Sequence, residues 1–249
     1  MSTLCKVLTG VFVAALCVPV PQAQAGLVDR GGGMLYDTVL NVTWLQDANH
    51  AKTSGYDADG LMTWTQANTW ANGLVYGGYS DWRLARNSPV DGTQSGWNYN
   101  LSFNGTTDRG YNITSTFSEL SYMYYVNLGL KGRYNPDGTV RSDSGVNGNG
   151  TFGGQKDVGL VKNLQNFIYW SGTAYGLYPA DDAWLFNTSD FGGQGYFSQS
   201  NGIFAWAVRP GDVTVAAVPV PGSVALLAGG LALLGVVTRR RGRLGASEA

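Results

Sequence analysis

Apolar residues along this chain fall into two regimes. Both ends carry continuous apolar stretches, residues 7–18 and 224–237, whereas the interior shows short patches broken by Gly, Asn and Asp. In the interior, Met34-Leu35-Tyr36-Asp37 and Val42-Thr43-Trp44-Leu45 predict two short strands around a polar turn. Thr63-x-x-Gln66 is a capping box, and Trp64, Ala67, Trp70, Ala71 and Leu74 follow at helical spacing, with Gly73 or Gly77 as the stop. Residues 77–84 predict a turn into a strand. Residues 87–114 are polar and Gly/Asn-rich, which predicts a long loop. Thr116-Phe117-Ser118-Glu119 is a second capping box, and Phe117, Leu120, Met123, Tyr124 and Leu128 give the helix after it one apolar face. Residues 129–157 read as an exposed loop or a disordered insert. Three more strands are predicted at 167–170, 183–186 and 204–209. Two early helices and a mostly late sheet make an α+β domain rather than a sandwich or a doubly wound sheet.

The ends read as addresses. Lys6, the apolar stretch and the small residues Ala23 and Ala25 before Gly26 have the layout of a secretory signal peptide over residues 1–25. At the other end, Val218-Pro219-Val220-Pro221-Gly222 leads into the second apolar run, and Arg239, Arg240, Arg241 and Arg243 follow it. Fourteen helical residues rise about 21 Å, against a hydrocarbon core of roughly 30 Å. Counted from Pro221 to Thr238, with the arginines reaching for the interface, the segment just spans. The arginine cluster stays cytoplasmic, so everything upstream lies outside. The tail resembles those of the bacterial PEP-CTERM class, in which a Pro-Glu-Pro-like motif, a short helix and an Arg cluster are processed by an exosortase-type membrane protease. Here Val220 stands at the middle position in place of Glu. The organisation expected is a signal peptide at 1–25, an extracellular domain at 26–212, a linker with the sorting motif at 213–223, a membrane helix at 224–238 and a basic tail at 239–249.

Both cysteines, Cys5 and Cys17, fall in the signal segment, so the exported part has no disulfide, thiolate nucleophile or Cys metal ligand. About 190 residues remain, enough for one well-cored domain. All eight tryptophans lie in it and supply large buried areas. Without the two ends the domain carries 11 basic and 16 acidic residues, a formal charge of about −5. That balance argues against nucleic acid as a partner. The acidic residues are nearly all Asp, which with abundant Gly and Asn is the chemistry of turns.

The interior also carries an ordered set of motifs. Asp37-x6-Trp44, the Trp-x-x-Ala helix, Gly77-Gly78-Tyr79-Ser80-Asp81-Trp82-Arg83-Leu84, Tyr169-Trp170-Ser171-Gly172-Thr173, Ala183-Trp184 and Val208-Arg209-Pro210 occur in that order. Over residues 34–211 the chain resembles the C-terminal domain family of the Legionella collagen-like adhesin, a bacterial extracellular module. The resemblance implies a compact C-type-lectin-like α+β domain with two helices, a twisted antiparallel sheet and long loops. It also implies scaffold roles for Trp44, Asp81, Trp82, Arg83, Trp170, Trp184 and Arg209, and glycan binding of the kind adhesin relatives show. From the residues themselves, period two puts Asp81 and Arg83 on the face opposite the Trp82 indole, where Asp81 meets backbone N–H groups and Arg83 a carboxylate.

Few residues are candidates for chemistry. His50 is the only histidine and reads as a loop residue. With one His and no Cys, structural zinc sites and Cys/His nucleophile pairs are excluded. Asp57 and Asp59 have the spacing of Ca²⁺ ligands, against an Asx turn as the plainer reading, and Asn68 stands where an EF-hand would close with Glu. Ca²⁺ is the one cofactor these residues suggest. Asp181 and Asp182 are adjacent on an extended segment, point oppositely and so do not flank one bond. Trp97, Tyr99, Phe103 and Tyr111 mix rings with amides in one loop, the chemistry that stacks on sugars, against loop aromatics tucked onto the core as the plainer reading. Asn187, Ser189 and Asp190 follow the Trp184 strand at a position similar to that of the carbonyl ligands for Ca²⁺ and sugar in C-type lectins, without the spacing of that motif. Trp97, Tyr99, Tyr111, Asn187 and Asp190 are therefore the candidate glycan contacts. The function expected is a non-enzymatic module exported by a Gram-negative bacterium, anchored in the inner membrane before processing and then held at the cell surface or in the exopolysaccharide matrix. The alternatives are a matrix protein without a defined ligand and a polysaccharide hydrolase.

Overall fold

Asp37 reverses the chain at the first hairpin. Its Oδ1 accepts the backbone N–H groups of Val39 (3.0 Å) and Leu40 (2.9 Å), an Asx turn between β2 (Met34–Asp37) and β3 (Val42–Leu45). Asn41 completes the turn at φ 52°. The carboxylate is fully buried, and its Oδ2 accepts Asn127 Nδ2 at 2.6 Å, so the chain's early hairpin is fastened to its middle. β1 (Leu27–Asp29) pairs antiparallel with β2.

The structure, a computed structural model, describes residues 26–93 and 96–213. The signal segment, the Val218 to Gly222 motif, the apolar run at 224–238 and the Arg239 to Arg241 cluster lie outside the described residues. Among the described residues, no helix is long and apolar enough to cross a membrane.

β12 (Ala207–Pro210) returns from the far end of the chain to pair with β3, and β4 (Arg83–Leu84) pairs with its other edge. The first sheet is therefore β1-β2-β3-β12-β4, antiparallel throughout. The second sheet contains β5 (Leu101–Ser102), β6 (Arg109–Tyr111), β11 (Gly193–Ser198), β10 (Asp182–Asn187) and β9 (Ile168–Ala174), in that spatial order. A separate hairpin joins β7 (Gln155–Val158) to β8 (Val161–Gln165). Backbone hydrogen bonds from Trp170 to Phe204 and from Gly172 to Ala85 fasten β9 to the first sheet. The fold is α+β and mostly sheet.

Of the helices, α1 (His50–Thr53) is a single turn, and α2 (Trp64–Gly73) starts from a formed capping box. In that box Gln66 Oε1 accepts the Thr63 N–H at 2.9 Å. Ala67, Trp70 and Ala71 are buried, and Trp64 Nε1 donates to the Ser171 carbonyl (2.8 Å), pinning α2 on β9. The core gathers the periodic residues of both halves. Trp44 and Trp206 meet at 4.8 Å between ring centroids, with Leu35, Leu45, Tyr169 and Trp170 fully buried around them.

The structure corrects three expectations. The second helix does not start from a box at Thr116. It is one turn, α3 (Glu119–Tyr122), continued by a π-helical turn (Met123–Asn127), with no side-chain cap and with Phe117 exposed. The physical reason is that Glu119 is already engaged by Arg83 and by the Arg86 N–H. Second, the segments read as one loop (87–114) and as a loop or disordered insert (129–157) hold β5, β6 and the start of β7. The latter segment is closed by hydrogen bonds from Gly145 N to Lys131 O and from Arg141 N to Arg133 O, over a buried Val146. Third, the sheet is not mostly late, because β1, β2 and β3 make over half of the first one.

Candidate functional site

Two ion pairs flank Trp82. The indole is buried, and its Nε1 donates to the Tyr76 carbonyl. Asp81 takes both Nε and NH2 of Arg209 (2.7 and 2.9 Å), not backbone N–H groups, and the Arg209 guanidinium lies 4.0 Å from the Tyr79 ring centroid. Arg83 grips Glu119 in the same two-toothed way (2.8 and 2.7 Å). These residues hold β4 against β12 and α3, and none of them lines a cavity among those described.

Trp184 is at the centre of a second aromatic group. It is fully buried at an irregularity between β10 and β9. Trp97 stacks on it at 4.9 Å and 29°, Tyr99 lies parallel at 6.1 Å and 8°, and Tyr175 meets it edge-on at 4.8 Å. Trp97 and Tyr99 are thus half-buried packing partners of the sheet. Asp108 fixes their loop: its carboxylate accepts the Val90 and Asn98 N–H groups, each at 2.6 Å. Burial raises the Asp108 pKa, against the pull of those two hydrogen bonds.

Tyr111 and Asn187 come together in a different place. Registered pairing aligns Asn187, Gly193 and Tyr111 across β10, β11 and β6, and Leu185 with Gly195 beside them. A groove of about 190 Å³ runs over these positions, with Arg109, Leu101 and Phe191 completing its walls. Glycines make its floor. A Cβ on Gly195 would meet nothing within 4 Å, and one on Gly193 would stand 3.0 Å from the Tyr111 ring. Phe103 stacks on Tyr111 (5.6 Å, 9°) and Tyr134 abuts it (4.7 Å, 62°), so the ring is held before any ligand arrives. Burial raises the Tyr111 pKa, which keeps the phenol protonated and able to donate at neutral pH. Asn187 Oδ1 accepts the Ser189 N–H (2.9 Å), which leaves its amide hydrogens for the groove. Asp190 is not open in the same way, because Arg133 (3.3 Å) and Ser189 (3.2 Å) hold it. Sequence reasoning missed Arg109, Leu185 and the glycine floor. The available signal was Gly193-Gln194-Gly195 inside a strand, a pattern that marks close approach of another group.

Asp57 and Asp59 are turn residues. Asp57 Oδ1 accepts from Asp59 N (3.1 Å) and Gly60 N (2.7 Å), and Asp59 Oδ1 accepts from Leu61 N (2.9 Å). Among the described residues no group of three or more His, Cys, Asp or Glu side chains is placed to hold a metal ion. His50, expected in a loop, instead opens α1; it is half-buried edge-on to Tyr76 at 4.9 Å, and burial lowers its pKa against the opposing effect of Asp47. Asp181 is exposed before β10 and Asp182 opens that strand, and neither lines the groove.

The carboxylates set a pH dependence. Hydrogen bonds from Lys131 and Arg141 bring Asp143 down to about 2, Arg209 lowers Asp81, Arg30 lowers Asp212, and Lys162 lowers Asp157. A lowered folded-state pKa adds stability above the unfolded value near 3.8, and that stability is lost as pH falls through the folded value. Asp108 acts oppositely, since a raised folded pKa adds stability that fades as pH rises through it. The lowered group is larger and includes exposed pairs, so the melting temperature is expected to fall between pH 4 and pH 2, less steeply in high salt. A flat melting profile over that window would contradict the ion-pair geometry.

No family model, curated protein or solved structure matches the chain.

Proposed function

We propose that this chain is an exported, surface-sorted, non-enzymatic module that binds glycans of the cell envelope or exopolysaccharide matrix through the groove over β6, β10 and β11. The observation that carries the reading is the buttressed Tyr111 ring standing over a glycine floor beside Arg109 and the Asn187 amide. A ring for the C–H face of a sugar, donors for its oxygens and a floor without side chains suit one pyranose unit. The volume is below the roughly 300–1,000 Å³ of sites for drug-sized ligands, which also favours a single ring. Among the described residues lining the groove none is a carboxylate, so the acid–base pair of a glycosidase has no support there.

The same reading places the domain in the adhesin C-terminal family with a C-type-lectin-like arrangement. An exosortase-type protease acts on the Val218 to Gly222 motif, and the 224–238 segment sits in the inner membrane until processing. These parts rest on the sequence motifs. For binding, Tyr111→Ala is expected to weaken glycan affinity about tenfold, while Tyr111→Phe keeps most of it. A glycan array with the protein in a zwitterionic detergent measures this. Equal binding by wild type and Tyr111→Ala, with both folded by circular dichroism, would remove the groove from the account.

A further inference from the structure

A second cavity lies on elements the groove does not use. Phe167, Phe204 and Leu61 form a trough of about 370 Å³ beside Gly153, Gly154 and the two glutamines Gln155 and Gln165. Phe152, 57 % exposed, stands at the edge with its ring 5.2 Å from that of Phe167, and Phe167 meets Phe204 at 6.0 Å and 90°. The three rings are contiguous, each in contact with the next.

The polar atoms narrow the ligand. Gln165 is 8 % exposed. Its Nε2 donates to Gln155 Oε1 (2.9 Å) and to the Asn163 carbonyl (2.6 Å), and because both are acceptors the amide orientation is fixed. Among the described residues its Oε1 accepts no hydrogen bond, which leaves a free acceptor on a residue that lines the trough. The lining contains no ionisable side chain, so the cavity is matched to a neutral ligand in a domain of net negative charge. A Cβ on Gly153 or Gly154 would meet nothing within 4 Å, so the rim is open enough for one unit of a longer chain to enter sideways.

We infer that this trough is a second carbohydrate subsite, which takes a neutral hexopyranose with its C–H face on one phenylalanine ring, a neighbouring ring edge-on beside it, and one hydroxyl donating to Gln165 Oε1. The inference rests on the glycan-binding reading of the preceding subsection and extends it from one contact to two. Two subsites on one rigid module raise avidity for a polymer without strengthening either contact.

The test is saturation-transfer NMR and calorimetry on the full chain in a zwitterionic detergent. The probes are hexaoses of glucose, mannose and galactose. Phe152→Ala removes an exposed ring and leaves the core intact. It is expected to weaken binding of at least one hexaose about fivefold, while Phe152→Trp stays within about twofold of wild type. The signal that depends on Phe152 is expected to survive Tyr111→Ala. If hexaoses bind but Phe152→Ala changes nothing, or Tyr111→Ala abolishes all binding, the second subsite is wrong and the groove reading stands. If none of the hexaoses binds the wild-type chain, the second subsite is wrong; if the glycan array is blank as well, both are wrong.

Discussion

Trp206→Ala is expected to cost about 4 kcal/mol of folding stability, near the upper end for single core truncations. For a domain of this size that lowers the melting temperature by roughly 10 °C. Trp206 is 1 % exposed, lies 4.8 Å from Trp44 and 6.0 Å from Tyr169, and donates its Nε1 to the Leu45 carbonyl at 2.7 Å. It therefore joins the segment before β12 to β3, and the first sheet closes through that contact. Trp44 gives the control. It is equally buried, but its Nε1 has no hydrogen-bond partner. Changing Trp44 to Phe removes an unsatisfied donor, whereas changing Trp206 to Phe breaks a made hydrogen bond. The order of loss is expected to be Trp206→Ala, then Trp206→Phe, then Trp44→Phe, by urea unfolding. A Trp44→Phe loss larger than that of Trp206→Phe would show that the indole hydrogen bond is not what distinguishes the two sites.

What the sequence made legible follows from how local each signal is. The strands at 34–37 and 42–45 and the capped helix from Thr63 were readable because two apolar stretches around a polar turn, and a capping box, act within a few residues. β5, β6 and β11 were not: β5 and β6 have only two and three residues, and β11 opens on Gly193-Gln194-Gly195, which lacks the apolar side chains that mark a strand. The Thr116 box misled for a related reason. Glu119 has the spacing of a capping residue, but its carboxylate is taken by Arg83, 36 positions away, and no local pattern reports that contact. The groove shows the same division. Tyr111 and Asn187 were visible as residue types, but their neighbourhood depends on β10–β11–β6 register, which puts Gly193 between them and Gly195 and Arg109 alongside. The trough is the extreme case, since Leu61, Gln165 and Phe204 come from three separate stretches of chain.

Glu119→Ala is expected to cost about 3 kcal/mol, because it strands a charge that the fold has taken out of water. The Arg83 and Glu119 side chains are only 16 % and 13 % exposed, and they meet through two hydrogen bonds of 2.8 and 2.7 Å. Glu119 also accepts the Arg86 N–H at 2.7 Å, and Arg83 also donates to the Leu84 carbonyl at 3.0 Å. Losing the carboxylate thus leaves a half-desolvated guanidinium and an amide without their acceptor. Glu119→Gln keeps acceptor geometry without the charge and is expected to lose less. The decisive comparison is Arg83→Leu with Glu119→Leu. Each alone leaves an unpaired ion in a largely buried site, whereas together they leave none, so the double variant is expected to be more stable than the sum of the single losses predicts. The expected coupling is about 2 kcal/mol by denaturant unfolding. Additive losses would mean that water already reaches the pair and that α3 is held to β4 by packing of Leu120 and Leu84 alone. Strong coupling would identify the contact that overrides the Thr116 capping signal and starts the helix at Glu119.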